Sequence, residues 1–469
     1  MSDFLIKQLP YDLSSHAGLA LIGKYFKRIN FNSLVDPHFP VRSGIANSDI
    51  LKSYLGLLCL GKNDFDAIEG QRQDRCFIQS LGLRAVPSSP TLRQRLDTHA
   101  SSWFELAEQI NTAVLGIKID GQAIDFGALP CGYVPLDIDT FVMDNSDTAK
   151  EHVGRTYTGV DGYCPLAAYL GTQGFCLELA LRPGTQHSAC DTEYNLERVL
   201  PLAAKVTPER LLLRADAGFD SARLLCTIDQ QAQDLQREIA WLVKWNPRTT
   251  PVEAWAEAKA RDAHTPWGTP RPGKRQCTWS EAVEVVHEVP LGKGEDPAQR
   301  SREQRTRRVA ARRIYRLSER TIDKHGQPLL LPEYTLEGWT TNLPETFTEQ
   351  QVIELYAGHG THEQFHAEFK TDMDLQRLPS GKFDTNYLVC ALAAVAMNLL
   401  RLVGQHTLQA PDSPVRHPAQ RRRVRTVMQE MMYKAARLIS HARQWVLGLG
   451  ANDRGYAAFS THWQALDSA

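Results

Sequence analysis

At 469 residues the chain is longer than one hydrophobic core serves, and it predicts two to four domains. With 42% hydrophobic and 23% charged residues, its composition is that of an ordinary soluble protein. The formal net charge of −1 excludes an overall positive field, so any hold on nucleic acid must come from local basic patches.

Nine cysteines, from Cys59 to Cys390, include no CxxC pair. That pattern predicts reduced thiols in a cytoplasmic protein and argues against a zinc site or a disulfide framework. The opening MSDFLIKQLP lacks a signal-peptide pattern. The longest apolar run, Tyr387–Leu400, is too short for a bilayer and ends at Arg401. It reads as a buried helix, and no membrane partner is expected.

Residues 1–115 predict a helical domain suited to DNA binding or dimerisation. Leu51–Leu60 is nearly all apolar and belongs inside. Pro87–Arg95 is a turn opening a helix, with Ser88 or Ser89 as its cap and Pro90 at the first helical position. Arg93 and Arg95 project from its first turns. A solvated helix face is the commoner meaning of such a pattern, a DNA-contacting helix the sharper one.

From about residue 120 the periodicity turns to strand. Tyr133–Asp139 alternates, with Leu136 and Ile138 on one face and Asp137 and Asp139 on the other. Arg155–Tyr169 and Gly174–Arg182 predict a hairpin about Gly171–Gly174. Next come a helix over Asp191–Ala204, a strand over Arg210–Ala215 ending at Asp216, a helix from Ser221 to Gln236 and a strand over Ile239–Lys244. Residues 120–245 thus predict a mixed α/β layer.

Residues 246–335 break this order with proline, glycine, Trp255, Trp267, Trp279 and short alternating strands, and predict an inserted subdomain. Core packing is the favoured role for its tryptophans; stacking on an extruded base is the sharper one, for Trp245 or Trp267. Arg300–Arg320 holds nine arginines against Glu303 and Glu319. At that density phosphate contact outweighs a merely solvated face, with Arg307, Arg308, Arg312 and Arg313 as candidates.

Residues 336–403 return to the α/β pattern after a strand over Tyr334–Thr341. Thr348 and Gln351 form a capping box, and the helix they open carries Tyr356, His359, Glu363 and Lys370 at i, i+3, i+7 and i+14, one helical face. Gly358 and Gly360 each cost about 1 kcal/mol against alanine. A kink or restart is therefore expected there, at a second box of Thr361 and Gln364, with Glu363 in its first turn. Residues 404–469 predict an exposed basic linker, Arg416–Arg425, whose Arg421, Arg422 and Arg423 suit phosphate, and a last helix over Val427–Leu449.

Phosphodiester cleavage by two metals needs carboxylates able to bridge cations roughly 4 Å apart. An aspartate in mid-strand, one at a strand's end and an acid on a later helix make a workable set. The spacing from Tyr356 to Lys370 resembles the Tyr-x2-Arg-x3-Glu-x6-Lys signature of bacterial DDE insertion-sequence transposases. The wider text resembles the branch related to piggyBac elements. The matching stretches are LDID at 136–139, DNS at 144–146, RTYTGVDGYCPLAAYLG at 155–171, LRPGTQHS at 181–188, LLRADAGFDS at 212–221, THEQFHAEFK at 361–370 and DLQRLPSGKFDTN at 374–386.

The resemblance implies an RNase H-like catalytic core over 120–245 and 336–403, interrupted by a β-rich insertion and flanked by helical regions. It implies a triad of Asp139, Asp216 and Glu363 holding two Mg²⁺ ions, with Mn²⁺ able to substitute. Asp137 rivals Asp139 for the first place. Tyr356 and Lys370 would position DNA phosphates. His359 stands where the signature has arginine. The activity implied is cleavage and strand transfer at the inverted repeats of an insertion sequence, by a homodimer or larger assembly on double-stranded DNA in a bacterial cytoplasm, at the nucleoid. A non-catalytic DNA-binding derivative and a branched-DNA nuclease are the alternatives.

Overall fold

The computed structural model of the chain describes residues 4–8, 10–262, 264, 266–290 and 301–467. The chain divides into two compact units, each built from separate stretches. One takes residues up to 127, 140–186 and 363 onwards; the other takes 128–139 and 187–362.

The second unit is built on one mixed sheet. Its strands lie in the order Gly268–Arg271, Lys274–Glu288, Thr306–Ile322, Pro328–Thr341, Ile239–Trp245, Leu211–Ala215, Val134–Thr140. The last three run parallel and the others pair antiparallel. Leu211–Ala215 is buried at every residue, as expected of a parallel strand covered on both faces. The helices Thr192–Val206 and Ala222–Asp234 flank these strands in sequence, and Leu224, Leu225 and Ile228 on the second are buried. The predicted series of strands and helices over this stretch is present.

Residues 246–335 extend this sheet. Pro328–Thr341 pairs with Ile239–Trp245 through Leu242 and Thr341, and Lys274–Glu288 pairs with Thr306–Ile322 along its whole length. Arg300 lies outside the described residues. The tryptophans pack. Trp245, Trp255 and Trp279 surround Tyr315 at 5.0–5.4 Å between ring centroids, and Arg275 covers Trp267 at 4.5 Å.

The first unit is mainly helical. Asn47–Leu58 is buried throughout, and the Ser88 hydroxyl caps the helix Ser89–His99 as predicted. The apolar run at 387–400 sits inside a longer helix, Phe383–Leu408. Length and composition alone would let that helix cross a membrane, but 89% of its most apolar window is buried in the protein. Asn398 on it takes the Cys176 N–H and donates to the Cys176 carbonyl, both at 2.7 Å, tying the helix to the predicted hairpin. That hairpin pairs Leu166–Leu170 with Phe175–Ala180.

One element is corrected. Val427–Leu449 is not a helix. After a short helical turn it forms the strands Ala436–His441 and Gln444–Leu449. Ile439, Trp445 and Val446 favour strand. The turn residues, Ala442 and Arg443, adopt φ of 49° and 66° without the glycine or asparagine that advertises such a hairpin.

Candidate active site

The strand Val134–Thr140 places Asp137 and Asp139 on one face, two residues apart, but their surroundings differ. Arg214 stands opposite Asp137 in the parallel register. Its Nε and Nη2 each donate to the Asp137 carboxylate at 2.7 Å, and its Nη1 donates to the Leu355 carbonyl at 2.7 Å. His359 Nδ1 adds a contact to Asp137 Oδ1 at 3.0 Å. Burial works against the charge on Asp137, but Arg214 and His359 hold its carboxyl down at about 2. Asp137 is thus the centre of a buried ion pair. Asp137, the rival of Asp139 for the first acid, has both oxygens engaged by Arg214 and His359.

Continuing the same register by one residue sets Asp216 level with Asp139. Asp139 receives His362 Nε2 on Oδ2 at 2.6 Å. Asp216 Oδ1 accepts the Gly218 N–H at 2.9 Å, which caps the short turn Ala217–Phe219. Burial raises the Asp216 carboxyl above the usual range, and the charge of Asp139 raises it further. Burial alone would lower His362, yet the bond to Asp139 raises it. His359 and His362 lie with ring centroids 4.1 Å apart. The Nε2 of His359 is buried and has no hydrogen-bond partner. Asp139 and Asp216, close enough for one charge to raise the pKa of the other, are oxygen donors of the type a divalent cation takes.

The segment carrying the spaced residues is not one helix. Glu349–Ala357 is α-helical and opens on the predicted Thr348–Gln351 box. Gly358–Thr361 tightens into a 3₁₀ turn, His362–Ala367 is α-helical again, and Glu368–Asp372 is a π turn. The expected restart therefore occurs, with Glu363 in its first turn. The second box does not form as predicted: the Thr361 hydroxyl donates to the Gly358 carbonyl at 3.0 Å. A Cβ on Gly358 would lie 3.0 Å from Arg214 Nη1, so the glycine opens the path by which Arg214 reaches Leu355.

Within the second unit, Asp139 and Asp216 come together with Tyr356, His359 and His362. Tyr356 is half-buried; burial raises its hydroxyl pKa, and the charges of Asp216 and Asp139 add to that. His359, expected to contact phosphate, is only 2% exposed and turns Nδ1 to Asp137. Glu363 follows His362 directly and is exposed, in the stretch that belongs to the first unit.

In that first unit His366 bonds the Tyr169 hydroxyl at 3.0 Å and stacks on Phe141. Lys370 lies 6.0 Å over the same Phe141 ring. Glu368, fully buried, is gripped by Arg401 and Arg421. Sequence reasoning missed Arg214, His362 and Glu368. A charge inside the apolar run RLLLRA and a histidine three residues after His359 were the available signals.

The predicted basic residues divide. Arg307 and Arg308 are exposed on their strand, Arg308 beside Glu284. Arg93 is exposed, 3.9 Å from Asp66. Arg95 donates to the Asn47 side chain. Arg312 donates to the Phe347 carbonyl at 2.7 Å, and Arg313 to Thr340 Oγ1 at 3.1 Å. Of the linker expected to be exposed, residues 416–420 are exposed, while Arg421 bonds Glu368, Arg422 the Leu408 and Val415 carbonyls, and the exposed Arg423 bonds Asp372. Buried acids and orphan carbonyls, invisible from local sequence, recruit these guanidinium groups.

No curated protein matches the chain. Solved structures do, among them a piggyBac transposase in a synaptic complex with hairpin DNA: 14% identity and a TM-score of 0.41, covering 89% of this chain and 80% of that one. A family model described as transposase DDE domain group 1 matches residues 10–467. With so nearly complete a match over the two aspartate strands and the helix beyond them, the chain belongs to the DDE transposase family, group 1.

Proposed function

We propose that this protein cuts and joins DNA at the inverted repeats of an insertion sequence, with Asp139, Asp216 and Glu363 as its triad. One observation carries the reading: buried Asp139 and half-buried Asp216 stand level on adjacent parallel strands, close enough that the charge of Asp139 raises the Asp216 carboxyl, a repulsion that a shared cation would relieve. DDE transposase domains use divalent metals. Mg²⁺ suits the oxygen ligands, and Mn²⁺ would substitute. Bound there, divalent cations supply Lewis-acid activation of the scissile phosphodiester.

The chain's own residues do the rest. Asp139 and Asp216 project from the sheet of an RNase H-like core, and Glu363 comes from the helix beyond. His362 holds one oxygen of Asp139 and so orients its carboxylate. The Asp137–Arg214–His359 network stiffens the strand beneath. Tyr356 and Lys370 position phosphate, and Arg307, Arg308 and Arg93 supply exposed charge to the duplex. Water breaks the first bond at the element end. The freed 3′-hydroxyl then attacks the target in line, without a covalent protein–DNA link. Two ends are processed by two copies.

The test is cleavage and strand transfer by the purified protein on DNA carrying its element's ends, with Mg²⁺ or Mn²⁺. Asp216→Asn abolishes both while leaving DNA binding nearly intact. Undiminished cutting by that variant sinks the proposal.

A further inference from the structure

In the first unit a sheet of three strands has the order Asp12–Ser14, Ala436–His441, Gln444–Leu449. Among the described residues, Gln444–Leu449 pairs on one side only. His441 faces Gln444 across the two left-handed turn residues Ala442 and Arg443. In such a turn the closing pair is hydrogen-bonded, so alternation sends the backbone N–H and C=O of Trp445, Leu447 and Leu449 outwards. An edge of this kind is a template for a further strand. Beside it, Trp445, Leu447 and Leu449 join Tyr456, Phe459 and Trp463 in lining an apolar groove of about 370 Å³. Trp445 is 42% and Val446 45% exposed.

The same unit carries a segment that matches this edge. Phe4–Gln8 is unpaired and exposed at every residue, with Phe4 at 89%, Leu5 at 80% and Ile6 at 93%. Three consecutive apolar side chains in water favour a covering surface. As a strand, the segment would present Phe4 and Ile6 on one face and Leu5 on the other.

We propose that Phe4–Gln8 of a second copy adds as a strand to Gln444–Leu449, seating Phe4 and Ile6 in the groove beside Trp445 and Leu447, so that two copies exchange arms. Main-chain hydrogen bonds supply the pairing and the groove supplies the selectivity. Within one chain, the arm leads into Asp12–Ser14, at the opposite edge of the sheet, and would have to cross the sheet's face to reach the same groove. A second copy meets no such obstacle.

Light scattering and sedimentation of the full chain test the exchange. The native protein should be dimeric at micromolar concentration. Phe4→Asp with Ile6→Asp, in a segment that is exposed and so leaves the fold unchanged by circular dichroism, should weaken the dimer at least tenfold. Leu5→Cys with Val446→Cys, in a Cys190→Ser background because Cys190 is the exposed native cysteine, should oxidise to a species of dimer mass. A monomeric native protein, a dimer indifferent to the arm substitutions, a disulfide closed within one chain, or no disulfide at all would each overturn the proposal.

Discussion

Asp137 and Asp139 share a strand face and differ in everything that matters chemically. Asp137→Asn removes one partner of an ion pair whose members are 4% and 3% exposed, leaving Arg214 charged and buried. A loss of about 3–5 kcal/mol of stability is expected, read from denaturant unfolding without metal. The pH dependence has a definite sign. Because the folded-state pKa of Asp137 is depressed to about 2 from the ordinary 3.8, its stabilisation is complete above about pH 4 and drains away as pH falls towards 2. The native protein should lose stability across that window more steeply than the variant. Asp216→Asn should behave oppositely at neutral pH. It relieves repulsion from Asp139, so the melting temperature without metal should hold or rise, and the further rise on adding Mg²⁺ should shrink. The strand pattern of YVPLDID put both aspartates on one face. What sets them apart is Arg214, which only the parallel register places opposite Asp137.

The helix that carries the spaced signature is broken for reasons its two glycines announce. Gly358 has Arg214 against it and Gly360 has nothing within 4 Å of a Cβ. Gly358→Ala should therefore cost about 1–3 kcal/mol by displacing the guanidinium from Leu355. Gly360→Ala should be neutral or stabilising by up to about 1 kcal/mol. Thermal unfolding of the two variants decides, and the reverse ranking would remove this account of the turn. The capping box at Thr348 and the cap at Ser88 were legible because caps are local chemistry. The hairpin Ala436–Leu449 was not, since its turn uses Ala442 and Arg443 in a backbone conformation those residues seldom announce.

Across the molecule, arginine separates into structural and available sets, and DNA binding should show it. Arg307→Gln and Arg308→Gln should each lower the slope of log affinity against log salt by about 1, with little change in sequence preference. Arg421→Ala should instead destabilise the protein, because Glu368 is fully buried between Arg401 and Arg421. Titration of end DNA at several salt concentrations, beside a melting curve for each variant, separates the two classes. From the amino-acid order alone came the alternation of strand and helix, the buried helix about 387–400, the aspartates at strand ends and the restart before Glu363, all of which rest on periodicity and local capping. Folding alone chose the partners: Arg214 for Asp137, His362 for Asp139, Glu368 for Arg421 and Asp372 for Arg423. Charge seeks charge across distant segments, and that choice belongs to three-dimensional neighbours which no local pattern encodes.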